Sequence, residues 1–242
     1  MKKACLLTMA REEPEFNPIW HGYYSQFFKN EDIYYLEDFC GKEDIVSQYG
    51  INIKKMIWPE NEKKNEWIKR VVEDEISELL KIYEYCVFTD IDEIIIPNPD
   101  FYPHFYDILT GGNVRCSGYY VFQDKSEKEY SPSLPILRQR SKWSRDILYD
   151  KTLILKNSVK FDLGFHSCSP QNDPNPNVFL VHLHYFDTKI LLKKLSRTRS
   201  WVYNEPTTTS IQNKSGDNYA IGFLDKLIKN SQNIPESIKD KI

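Results

Sequence analysis

Cysteine pairs, long apolar runs and a basic excess are all missing from this chain, and each absence excludes something. The five cysteines, Cys5, Cys40, Cys86, Cys116 and Cys168, are odd in number, widely spaced and free of any Cys-x-x-Cys. That argues against a disulfide framework or a structural zinc site and for a reducing, cytoplasmic setting. No stretch is long enough to span a bilayer, and the apolar run Ala4–Leu7 is too short for a secretory signal. Thirty-two Lys and Arg against 35 Asp and Glu leave a formal charge of -3, so nucleic acid is not an expected partner. Gly111-Gly112 lacks phosphate-loop spacing and reads as a turn. Asn213-Lys214-Ser215 fits a glycosylation acceptor, but without a secretory route it reads as chance. No internal repeat and no domain boundary is visible.

What is present suits a folded α/β protein. The 242 residues are 40% hydrophobic and 28% charged, enough for one domain over 1–242 with a helical C-terminal portion at about 188–242. Aromatics reach 14%, with 16 Tyr and 5 Trp, which suits stacking on bases or sugars as well as ordinary packing. Strands are predicted at Lys3–Met9, Asp32–Glu37 and Ile51–Trp58, with an aromatic-rich helix over Ile19–Phe28. Ile68, Val71, Val72, Ile76, Leu79, Leu80 and Tyr83 recur at helical spacing and predict a helix over Asn65–Tyr85. A buried strand follows at Cys86–Phe88, then Ile94–Ile96 and a short helix at Phe105–Leu109. Strands are predicted at Val114–Phe122, Lys151–Leu155 and Val178–Tyr185, the last carrying His182 and His184. Ser169–Asn177 reads as a loop, Thr188–Trp201 as a basic amphipathic helix, 204–218 as a polar loop and Tyr219–Lys229 as a last helix. Alternating strands and helices favour a Rossmann-like, mixed and mostly parallel sheet flanked by helices.

The chemistry concentrates at Asp90-Ile91-Asp92-Glu93, set between Cys86-Val87-Phe88 and Ile94-Ile95-Ile96. Bare carboxylates among apolar residues cost several kcal/mol unless neutralised, on the order of the penalty for unpaired buried ions. Residues two apart on an extended segment point the same way, so Asp90 and Asp92 are expected to share a site at a strand end. Mutual repulsion raises a carboxyl pKa unless a cation intervenes, and Mn²⁺ or Mg²⁺ carrying a diphosphate meets that need. Ligands beyond the carboxyl ends of strands are also what open α/β sheets bind.

Residues Val87–Pro97 resemble the DxDE segment of glycosyltransferases of the GT-A fold, in particular the family-two-like group. Ala10-Arg11-Glu12-Glu13 stands where those proteins carry Arg-Asn-Glu or a similar triplet after the first strand. Lys151 at a strand start, His166 beyond it, His184-Tyr185 and the basic run Lys193–Arg199 follow in the family's order. The resemblance implies a nucleotide-diphospho-sugar transferase fold and transfer from a nucleotide-sugar, UDP-linked by default, to a saccharide acceptor, with inversion. It implies Ala10 and Arg11 against the base, and Glu37 or Asp38 against base or ribose. Asp90 and Asp92 would bind the metal, with Asp92 the direct ligand. A later His would complete it: His166, His182 and His184 are the candidates, His184 favoured. Lys151 and the basic residues Lys193, Lys194, Arg197 and Arg199 would meet the diphosphate. Asp162 is the candidate base and Asp124 its rival, since the family's base has no sharp match here. Trp143, Tyr119 and Tyr120 are candidates for stacking on the acceptor. The basic helix could instead lie on an anionic membrane surface without entering it.

Two rival readings stand beside this one. A strand ending in Asp-x-Asp also occurs in haloacid-dehalogenase-type phosphatases, but those continue with Gly-Thr where this chain has Glu93-Ile94, and the chain has no Asp-Asp pair. A carbohydrate-binding protein without turnover is the non-enzymatic alternative.

Overall fold

Apolar residues alternate or run together in the segments that form the central sheet, and the helices offer one apolar stripe each to cover it. The computed structural model describes residues 2–38, 45–59, 61–109, 111–198 and 217–242. In chain order the first half contains β1 (Lys2–Ala10), α1 (Asn17–Tyr24), β2 (Ile33–Asp38), β3 (Asn52–Met56), α2 (Lys64–Leu79), β4 (Tyr83–Asp90) and β5 (Glu93–Pro97). The second half contains β6 (Val114–Phe122), α3 (Ile136–Gln139), β7 (Lys142–Arg145), β8 (Lys151–Leu155), β9 (Lys160–Phe161), β10 (Cys168–Ser169), β11 (Pro174–Tyr185), α4 (Thr188–Thr198), α5 (Asp217–Lys229) and β12 (Ser231–Asn233). Single 3-10 turns link several of these.

The sheet runs β12-β7-β6-β8-β4-β1-β2-β3, with β11 between β6 and β5. Strands β3, β2, β1 and β4 are parallel, a Rossmann-like half. From β8 outward the neighbours are antiparallel. The longest pairings, β1 with β4 and β11 with β6, are parallel, so the expected class of mixed α/β sheet flanked by helices is the one found.

Strand β5 has a sheet partner on one side only, β11. Helix α1 covers its other edge. The Tyr23 hydroxyl donates to Ile95 O (2.7 Å), and the Ile95 amide donates to the Tyr24 hydroxyl (2.8 Å). Trp20 Nε1 donates to Thr89 Oγ1 (2.9 Å). The aromatic run of α1 thus satisfies backbone groups that an open edge would leave unpaired. Ile94, Ile95 and Ile96 are completely buried beneath it, each contributing about 1.5–3 kcal/mol of burial.

Three expectations need correction. The helix predicted to reach Tyr85 ends at Leu79, and β4 begins at Tyr83. Tyr83, Tyr85, Val87 and Phe88 are drawn into the sheet centre, where pairing with β1 outweighs the helical spacing. The loop expected through Asn177 ends earlier, because residues 174–177 already belong to β11 and Pro174 opens that strand, where proline is tolerated. The C-terminal portion also supplies a strand, β12, on the free edge of β7. The expectations for 199–201, Arg199 among them, for 204–216, including Asn213-Lys214-Ser215, and for Cys40 lie outside the described residues.

Candidate functional site

Strand β1 has its successor β2 on one flank and β4 on the other, and crevices open where the strand order reverses in this way. Met9 and Asp90 are register partners at that point. Two cavities of about 420 and 250 Å³ meet there, and Glu13, Asp90, Asp92 and Lys194 line both.

The turn after β4 splits the acidic cluster. The Asp90 amide donates to Glu93 Oε2 (3.1 Å), and the Leu183 amide donates to Asp92 O (2.8 Å), fixing Asp92 against β11. Alternation along β11 then presents His182 and His184 on the same side. His182 Nε2 lies 3.3 Å and His184 Nδ1 3.5 Å from Asp92 Oδ2. From α4, Lys194 Nζ reaches the same oxygen at 2.9 Å and Glu13 Oε1 at 3.1 Å. Asp90 and Glu93 belong to a separate cluster. Lys151 Nζ is 2.9 Å from Asp90 Oδ2 and 2.6 Å from Glu93 Oε1. The sequence suggested one cation held between Asp90 and Asp92; the structure gives each carboxylate its own ammonium.

Tyr149 joins the two clusters. Its hydroxyl donates to Glu93 Oε1 (2.6 Å) and lies 3.2 Å from His182 Nε2, and the rings of Tyr149 and His182 stack at 4.4 Å. Gly118 makes this possible: a Cβ there would lie 2.4 Å from Tyr149 O, so any side chain would push the 147–149 turn off β6. Glu12, with φ 50, turns the chain sharply after β1 and precedes buried Glu13, whose carbonyl accepts from the amides of Phe16 and Asn17.

Burial sets the protonation states. It pushes the His182 imidazole down to about 4 despite Asp92 beside it, so the ring is neutral near pH 7; it lowers His184 as well. Burial alone would raise Asp92, but Lys194 and the two imidazoles outweigh it and hold the carboxyl well below its ordinary range. Burial pushes Glu13 up to about 7, only partly offset by Lys194 and Arg197. It opposes the charge on Lys151 and Lys194, but their carboxylate partners prevail and keep both ammoniums protonated.

Two neutral imidazoles and one ionised carboxylate are a metal-binding donor set. Their donor atoms all lie within 4.8 Å of one another, and no other such His/Cys/Asp/Glu group occurs among the described residues. Asp92 Oδ2 stands 3.3 and 3.5 Å from the two imidazole nitrogens, close to the spacing of neighbouring ligands on one ion with bonds of about 2.1 Å, so the residues fit. His182 Nδ1 is buried and makes no hydrogen bond among the described residues.

The second cavity gathers part of the expected nucleotide set. Ala10, Arg11 and Asp38 line it, with Lys64. Lys64 Nζ is 2.7 Å and Arg11 Nη1 3.9 Å from Asp38 Oδ2. Glu37 is buried at the end of β2 and is not on either cavity wall. His166 lines the first cavity, with its ring 5.2 Å from Tyr149, but stands outside the Asp92 cluster. Tyr120 lines that cavity too, whereas Trp143 is buried against Tyr119 at 4.0 Å.

Three expected residues are not brought to the site. Asp162 is exposed, accepts from the Ser167 hydroxyl and closes the β9–β10 turn, away from both cavity walls. Asp124 caps its own turn through Ser126. Lys193 points outward on α4, because each helical residue turns about 100° from the last, and Lys194 takes the inward place. Arg197 is near the site but engaged with Glu13 (3.3 Å) and Glu15 (3.0 Å). The sequence did not single out Glu13, Lys64 or Tyr149.

Fold and site together define a Rossmann-like mixed α/β protein with a two-cavity crevice and a His₂-carboxylate cluster at its strand ends. No protein-family model matches the chain. No curated protein matches it either. Among solved structures it is similar to a protein assigned as a glucose-1-phosphate thymidylyltransferase from Bacillus anthracis, solved with a sucrose: 12% identity, TM-score 0.31, 50% of this chain and 56% of that one. It is also similar to a mycobacterial protein at 18% identity and TM-score 0.31, over 50% of this chain and 41% of that one. The chain thus spans about half the length of the structures it matches, and likenesses at this level carry no argument about activity. No described helix is long and apolar enough to cross a membrane.

Proposed function

We propose that this chain is a metal-dependent glycosyltransferase that takes a sugar from a nucleotide-sugar. The observation that supports this is the Asp92–His182–His184 cluster on the wall of the larger of two adjoining cavities at the strand-order reversal, with Asp92 lining both. The smaller cavity, with Arg11, Asp38 and Lys64, would take the nucleoside, and the larger, with Tyr120, Tyr149 and His166, the sugar and its acceptor. Of the two ions expected, two imidazoles beside a carboxylate favour Mn²⁺, a transition ion that accepts nitrogen ligands more readily than Mg²⁺.

When bound, such an ion would supply Lewis-acid neutralisation of the leaving diphosphate. The chain's own groups do the rest. Asp92, held low, stays an anion at any working pH. Lys194 brings a positive charge to the boundary where a diphosphate joining the two cavities would lie. Lys151 fixes Asp90 and Glu93, and Tyr149 stacks on His182 and so orients its ring.

The test is a thermal-shift series with UDP- and GDP-sugars, with and without Mn²⁺. A ligand at about 100 times its dissociation constant adds roughly 2.7 kcal/mol. Asp92→Ala should abolish the metal-dependent part of the shift, and an unchanged shift would falsify the assignment. Release of nucleoside diphosphate, rather than phosphate from p-nitrophenyl phosphate, separates transfer from a phosphatase.

A further inference from the structure

Asp92 Oδ2 is contested. The same oxygen that the two imidazoles face also carries the Lys194 ammonium at 2.9 Å. An ammonium only donates, and it repels a divalent ion, so the two cannot share one carboxylate oxygen without strong cost at this range. Resting on the metal reading above, we propose that Lys194 is a built-in competitor of the divalent ion: ammonium and metal exchange on Asp92, and the released ammonium meets the donor's diphosphate.

Lys194 has somewhere to go. Glu13 Oε1 is already 3.1 Å from its Nζ, and the ring of Phe16 lies 4.8 Å away, so losing Asp92 does not strand a charge. The four-carbon stem allows the move without displacing the helix. Helix α4 itself stays tied to the 13–15 turn through Arg197, which binds Glu13 and Glu15. Lys194, Glu13 and Asp92 line both cavities, so the ammonium stands where a ligand crossing from one to the other must pass. Lys151 has no such freedom. It comes from a central strand, is 1% exposed, and is gripped by two carboxylates, one of them completely buried.

The experiment measures Mn²⁺ affinity by the electron paramagnetic resonance signal of free Mn²⁺, then UDP affinity at saturating Mn²⁺. Lys194→Met should tighten Mn²⁺ by about tenfold or more and weaken UDP by about tenfold, opposite signs that a structural role alone does not produce. Lys193→Met removes the same charge one residue away, on the exposed face, and should change neither by more than about twofold. If Lys194→Met does not fold, Lys194→Gln, which keeps a hydrogen bond to Glu13 without the charge, carries the same test. Mn²⁺ binding that His182→Ala removes but Lys194→Met leaves unchanged or weaker overturns the exchange alone. No Mn²⁺ binding in any folded variant overturns the metal reading and the exchange with it.

Discussion

Two ammonium–carboxylate clusters sit within a few residues of each other, and they are built for different ends. Lys151, Asp90 and Glu93 come from β8, β4 and β5, all anchored in the sheet. Lys194, Asp92 and Glu13 come from a surface helix and two turns, with two neutral imidazoles beside them and a cavity on either side. The first cluster closes around a completely buried Glu93 and reaches the cavity wall only through Asp90 and Lys151. The second leaves its central oxygen open to competing partners. Burial does not by itself distinguish a structural ion cluster from a working one; what distinguishes them is whether the cation's anchor can move and whether neutral ligands share its carboxylate.

The sharpest way to break that contrast is Lys151→Met. Removing one partner from a buried ion cluster leaves uncompensated charge, so unfolding free energy should fall by about 3–5 kcal/mol, measured by urea denaturation. A loss below about 1 kcal/mol would mean that Lys151 is no more structural than Lys194.

The second comparison is between histidines. His184→Gln should weaken Mn²⁺ by about tenfold to a hundredfold, at least what losing a supporting partner costs at metal sites. His166→Gln, on the same cavity wall but outside the cluster, should leave Mn²⁺ affinity within about threefold. Equal losses in both would place the ion elsewhere in the cavity.

Much of the sheet was legible because its strands are rich in β-branched, aromatic and other apolar residues: Val114–Phe122 and Lys151–Leu155 are found with the predicted bounds. The short strands β7 and β12 at one margin of the sheet carry no pattern of their own and form where a neighbour offers an edge. The acidic turn was legible as a point needing charged partners, since carboxylates between Phe88 and Ile94 require compensation. Its partners were harder to read. His182 and His184 share a strand face by simple alternation, yet which cluster they join depends on the Leu183–Asp92 backbone bond. Lys194 was named beside Lys193 for the diphosphate, and the helical pattern could have chosen between them. Lys194 lies three residues after Leu191 and one before Leu195, both buried, so it falls on the inward stripe while Lys193 does not. Glu13 gave little signal, because the left-handed Glu12 that precedes it is not written in residue type. Asp162, named as the base for want of a sharper match, closes the β9–β10 turn instead.

The smallest expected effect probes Glu13, the second carboxylate of the exchangeable cluster. Its pKa is pushed up to about 7 from an ordinary 4.5 by burial, against Lys194 and Arg197. A carboxyl whose folded pKa is raised binds its proton more tightly in the folded chain. The stability this adds is complete below the unfolded value and is lost as pH rises through the folded one. Glu13→Gln keeps the shape without the titration, so the stability difference, variant minus wild type, should grow as pH rises. Integrated between about pH 6 and about pH 8, the growth is roughly 1 kcal/mol, readable as a widening gap in melting temperature. A gap that stays flat or narrows would mean that Lys194 and Arg197 hold Glu13 ionised throughout. Both carboxylates of this cluster would then be permanent anions, and Lys194 would be held between them too firmly to leave Asp92 for an incoming ion.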